Sequence, residues 1–237
     1  MSFFSSFLLL AALSSSDAIA ILLNSAAATS PTRFAEAQQL VLKEAKEGKP
    51  LQQFVVGVTT KDPKAAKFYT EASRDKIQRL ATERDNPLAW YLLSMEKNDY
   101  RMLKRAADGG NVQALNAFGS ILVQTAFDRK VDTNRLERAL SQGFNCFRRA
   151  AAQRDPNGYI NLGTCYLRGF GCDPDFVMAH QCFRAAAEAG HPEGMDYVSA
   201  GFENGHGVER NPELAILWRM KAKAVRGDKA AQEWLKK

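Results

Sequence analysis

The chain has 237 residues, 46% of them hydrophobic and 24% charged, with a formal charge of +6 at neutral pH. That balance excludes disorder throughout. Its 32 Lys and Arg are scattered with no block of like charge, which reads as solvated helix faces rather than a nucleic-acid or anionic-lipid tract. Four cysteines (Cys146, Cys165, Cys172, Cys182) and three histidines (His180, His191, His206) include no C-x-x-C and no set with zinc spacing, so neither a metal nor a cofactor is expected.

The N-terminus opens with an apolar run at 3–13, shorter than the roughly 20 residues a spanning helix needs. Small-residue sites follow at Ala18-Ile19-Ala20 and Ala26-Ala27-Ala28. The order is that of a secretory signal peptide over 1–28, although the first cationic side chain is Arg33. Cleavage at Ala20 or Ala28 would place the chain in the secretory pathway, the periplasm or outside the cell. An uncleaved leader would stay as a tail, the only membrane contact expected, and would leave the compartment open between organelle and cytoplasm.

Next, 33–48 places Phe34, Ala37, Leu40, Val41 and Ala45 at helical spacing and stops at Gly48. Segment 50–85 carries Gly57 and then Ala65, Phe68, Tyr69 and Ala72, with a long second helix ending near Arg84. Segment 87–109 has Trp90, Leu93 and Ser94 on one stripe, an almost deleted turn, and a closing Ala-Ala-Asp-Gly-Gly. Segment 111–152 contains Phe118-Gly119 and a connection around 125–134 about eight residues too long for its register.

A fixed period appears downstream. Pro156 and Pro192 are 36 residues apart, and the same offset relates Tyr166 to Phe202, Gly169 to Gly205, Gly171 to Gly207, Cys182 to Trp218 and Ala186 to Ala222. Within one period Tyr159, Leu162, Gly163 and Tyr166 form a helical stripe. Gly163 allows close approach of the paired helix. Gly169-Phe170-Gly171 breaks the helix, Asp173-Pro174 is expected to start the second one, and Gly190 closes it. A short helix after Gly227-Asp228, over 228–237, is expected to be anchored by Trp234 and Leu235.

The motif Leu162-Gly163, Tyr166, Gly169, Gly171, Asp175, Ala179, Ala186-Ala187 and Gly190 resembles the Sel1-like repeat family, relatives of the tetratricopeptide repeats. The match is strong over 156–190, good over 192–226, and looser upstream. The resemblance implies an all-α fold: a right-handed α-solenoid of antiparallel helix pairs, about five pairs with terminal cap helices. The units are 50–85, 87–109, 111–152, 156–190 and 192–226. Cysteine-rich secreted members staple helices within a unit, with wider spacing than here. Packing is therefore the expected role of the cysteines, with Cys165 and Cys182 the pair to test for a bridge.

The resemblance also implies that first helices line a concave ligand groove. Off the packing stripe lie Leu51, Phe54 and Val58; Leu88, Tyr91 and Met95; Asn116, Ser120 and Val123; Ile160, Thr164 and Leu167; and Asp196 and Glu203. The groove is thus expected to run from apolar to acidic, unless the leader or N-terminal helix packs into its apolar half. Replacing Tyr91 and Phe54 with alanine is expected to weaken partner binding and keep helicity. The function implied is a non-catalytic adaptor or scaffold for a protein or peptide. A structural subunit or assembly factor of a larger complex is the alternative. A third is the β-lactam binding or hydrolysis associated with some secreted members, but no S-x-x-K stands at a helix start. No Ser or Cys has an evident His and Asp partner, so the histidines are expected to be solvated or capping.

Overall fold

A computed structural model describes residues 18, 19, 22, 23, 31–127 and 132–236. The apolar run at 3–13 and the cleavage positions Ala20 and Ala28 lie outside those residues. From Pro31 onward twelve helices are described: α1 Pro31–Lys46, α2 Pro50–Thr59, α3 Pro63–Arg84, α4 Pro87–Lys97, α5 Tyr100–Asp108, α6 Val112–Ala126, α7 Thr133–Ala152, α8 Pro156–Arg168, α9 Phe176–Glu188, α10 Pro192–Asn204, α11 Pro212–Val225 and α12 Lys229–Trp234.

Helix starts follow local chemistry. Pro50, Pro63, Pro87, Pro156, Pro192 and Pro212 occupy first turns, where a missing N–H costs nothing. Asp62, Asn86, Asn111, Asp155, Asn211 and Asp228 accept hydrogen bonds from backbone N–H groups of the first turn, each worth about 1 kcal/mol. One expectation is corrected. The cap of α9 is Asp175, which accepts from the Met178 N–H at 2.9 Å, not Asp173. Pro174 instead closes over the preceding turn, since a Cβ on Gly169 would lie 2.9 Å from its ring.

Five antiparallel pairs, α2–α3 through α10–α11, stack in sequence between α1 and α12. Each helix packs mainly on its chain neighbours, as a solenoid requires. The buried apolar residues form four clusters along the stack rather than one centre.

Two glycine contacts set the period. Within a pair, a Cβ on Gly163 would meet the Phe183 ring at 2.7 Å, and one on Gly119 would meet Phe147 at 2.7 Å. Ser199 takes this place in the last pair and donates to the Ala215 carbonyl at 2.7 Å. Between pairs, a Cβ on Gly158 would sit 2.7 Å from the Ala151 nitrogen, and one on Gly194 would sit 2.8 Å from the Ala187 nitrogen. These contacts are backbone against backbone, so no side-chain rotation relieves them.

The upstream half departs from the period in two ways. Asn98, at φ 50°, and Asp99 alone join α4 to α5, and those helices have 11 and 9 residues. The insertion before α7 is absorbed largely as helix: α7 has 20 residues against 13 for α9. At the far end, the anchor of α12 is Ala231, 1% exposed, while Trp234 and Leu235 are 44% and 37% exposed.

Candidate protein-interaction face

First helices turn one side of each towards a shared concave surface. Tyr91 of α4, Gln113, Asn116, Ala117 and Ser120 of α6, and Asn157 and Asn161 of α8 line a concavity of about 260 Å³, with Leu23 on its wall. A second concavity of about 260 Å³ adjoins it, lined by Ser120, Val123, Gln124, Phe147, Asn161, Thr164, Cys165 and Phe170. Ser120 and Asn161 belong to both.

This strip is held rigid by its own hydrogen bonds. Asn116 Nδ2 donates to Asp155 Oδ2 at 2.7 Å, and Asn161 Nδ2 donates to Asn116 Oδ1 at 3.1 Å. The same Asp155 oxygen accepts from the Gly158 N–H at 2.7 Å and so caps α8. A helix cap is thus tied across the unit boundary to the groove floor. Asn157 Oδ1 lies 3.2 Å from His191 Nε2, which links the floor to the start of α10. Primary amides held this way keep donors and acceptors pre-placed for an incoming polar backbone.

The predicted groove residues do not all face one groove. Asn116, Ser120, Val123 and Thr164 line the two concavities, and Leu167 lines a smaller one between α8, α9 and α10. Phe54 is fully buried, and Leu51, Val58 and Leu88 pack against the same N-terminal core, so the apolar end is not open to a partner as expected. Tyr91 is buried but lines the groove, and Met95 is exposed. Ile160 is also buried, in the cluster with Met195 and Val198. Asp196 pairs with Arg226, and Glu203 pairs with Arg219 at 2.5 Å. The acidic end expected of the groove is therefore neutralised by cations from α11 and its C-cap. Asn161, Gln124 and Phe170 were missed. Asn157, Asn161 and Thr164 form an i, i+4, i+7 stripe one residue round the helix from Ile160, and that polar spacing was the available signal.

All four thiols are free, and Cys146, Cys165 and Cys182 are buried. Burial pushes Cys165 up to about 12 and Cys182 up to about 11, so neither is a thiolate near neutrality. Among the described residues, no group of three or more His, Cys, Asp or Glu is placed to hold a metal ion. No helix of the described residues is long and apolar enough to cross a membrane.

The histidines correct another expectation. His180 and His191 are 7% and 4% exposed rather than solvated, and His191 makes no side-chain cap bond at the start of α10. Burial holds both below the ordinary 6.5. Above pH 6.5 the imidazoles are neutral whether folded or unfolded. Below it the unfolded chain takes up protons first, so stability falls until the folded imidazoles also titrate. Thermal melts between pH 7.5 and 5 are expected to show that decline, and His180→Gln with His191→Gln is expected to flatten it. An unchanged slope in the double variant would assign the decline to other groups.

A model of the Sel1 repeat matches residues 135–155, 156–191 and 192–218. Residues 135–218 carry Sel1 repeats. The matched stretches begin in α7 and end in α11, the half where the glycine contacts recur at a fixed period. The chain is similar to a Sel1 repeat protein from Oxalobacter formigenes, with 26% identity over 53% of this chain and 90% of that one, at a TM-score of 0.47. It is also similar to c5321, a protective antigen of uropathogenic Escherichia coli with an SLR fold. There the identity is 20%, over 84% of this chain and 44% of that one, at a TM-score of 0.55. The second likeness extends the solenoid fold beyond the Sel1 matches into the irregular half.

Proposed function

We propose that this Sel1-repeat chain is a protein-binding scaffold whose ligand is an extended peptide segment laid across the first helices of the third and fourth pairs. The observation that carries this is the amide and hydroxyl strip of Gln113, Asn116, Ser120, Asn157, Asn161 and Thr164, continuous across two concavities. An extended backbone offers alternating N–H and C=O groups, and primary amides satisfy both kinds. Val123 and Phe170 supply apolar contact beside the strip, so side chains of the ligand are read as well as its backbone.

Ser120→Arg with Asn161→Arg tests the proposal, because it fills both concavities from positions that line them. The expected result is at least about a tenfold loss of binding to the polypeptide that co-purifies from the native source, with helicity kept. A control, Lys104→Glu on the outer helix α5, is expected to bind normally. Equal binding by both variants would remove the strip from the interface.

A further inference from the structure

Ala18 and Ile19 are helical and 0% and 4% exposed. They share a core cluster with Val41 of α1, Phe54 and Val55 of α2, and Leu92 and Leu93 of α4. Leu22 packs against the same cluster, and Leu23 reaches past it to the next cluster and to the groove wall beside Tyr91 and Asn116. The sequence reads this stretch as part of the leader, yet Ala18 and Ile19 are as buried as the solenoid's own core, and Leu22 and Leu23 are partly buried against it.

We infer that Ala18, Ile19, Leu22 and Leu23 are the resident ligand of the groove's apolar half: part of the chain's own N-terminal segment, docked in cis. This explains why the concave side changes character along its length. Where Ile19, Leu22 and Leu23 lie, the first helices present Phe54, Leu88 and Tyr91; beyond Leu23 they present amides. Apolar side chains meet apolar walls, and the amide strip starts beside Leu23. The segment meets the peptide strip only at Leu23, on the wall of the shared concavity, and the inference does not depend on an external partner.

The test uses the full chain. Ile19→Asp with Leu23→Asp puts two carboxylates on the docked face and expels the segment. A labelled synthetic peptide of residues 14–28 is then titrated into wild type and variant. A groove filled in cis is open only for the fraction of time its own segment is undocked, and the apparent affinity falls by that fraction. The variant is therefore expected to bind the peptide at least about tenfold tighter than wild type. A peptide carrying the same two aspartates is expected to bind neither chain. Should the aspartate variant lose its helical signal, Ile19→Ala with Leu23→Ala gives a milder vacancy, and a smaller gain in the same direction is expected. Peptide binding to neither chain, or equally to both, overturns the inference. Unchanged binding of the co-purifying polypeptide by Ser120→Arg with Asn161→Arg counts against the peptide strip alone, and equal peptide binding by wild type and the aspartate variant counts against this segment alone.

Discussion

Gly207→Ala is expected to destabilise the chain by about 4 kcal/mol, more than any surface substitution in the same turn. Gly207 has φ +72°, and a Cβ there would lie 1.9 Å from the Phe176 carbonyl oxygen, at the first residue of α9. Gly171 makes the same contact one pair earlier, with 2.4 Å to the Leu140 oxygen. The second glycine of each turn therefore seats one pair on the preceding pair's second helix. A left-handed conformation costs an L-residue about 1–2 kcal/mol. The overlap with backbone adds the larger part, because only separation of the pairs relieves it. Gly205→Ala isolates the first contribution: its φ is +75°, but the nearest atom to a Cβ is 3.8 Å away. Urea melts of the two variants should differ by about 2 kcal/mol or more. Equal losses would mean that the seat is not tight.

Phe54→Ala should cost about 3–5 kcal/mol through lost burial and the cavity left behind. Phe54 is fully buried among Val41, Val55, Ile77 and Leu92, and the docked Ile19 shares that cluster. The substitution therefore acts on folding of the N-terminal pairs, not on contact with an external partner as its register position suggested. Met95, 42% exposed, gives the contrast: Met95→Ala is expected to stay within about 0.5 kcal/mol of wild type. Denaturation of both, followed by far-ultraviolet circular dichroism, checks the pair. A Phe54→Ala chain as stable as wild type would place the residue on an open groove.

These two residues show what the sequence carried and what it did not. The period was legible because its contacts are backbone on backbone, and only glycine fits at Gly158, Gly194, Gly171 and Gly207. The helix pairs were legible through the stripe of Tyr159, Leu162 and Tyr166 and the glycines that close helices, Gly169 and Gly190, whereas the start read at Asp173 lay two residues before the cap Asp175. Sequence did not resolve which side of a first helix faces the groove. Ile160 and Asn161 are neighbours, yet one enters the contact with α10 and the other lines the concavities, a difference of about 100° set by how the next pair crosses. The Asp196–Arg226 and Glu203–Arg219 pairs were hidden because each joins residues 30 and 16 positions apart, on elements whose approach the period alone does not fix. The extension of α7 was read as loop because an insertion breaks the register before any helical stripe can be aligned to it.

The most direct measurement of the scaffold role is site-specific photo-crosslinking of the native chain in its own cell extract. One photoreactive residue replaces Ser120 or Thr164 on the groove floor, and another replaces Arg184 on α9, whose side chain is exposed and paired with Glu188. A single defined polypeptide crosslinked from the two floor positions and not from Arg184 is the predicted result. Crosslinking from position 184 with none from the floor would place the binding face on the outer helices and contradict the account.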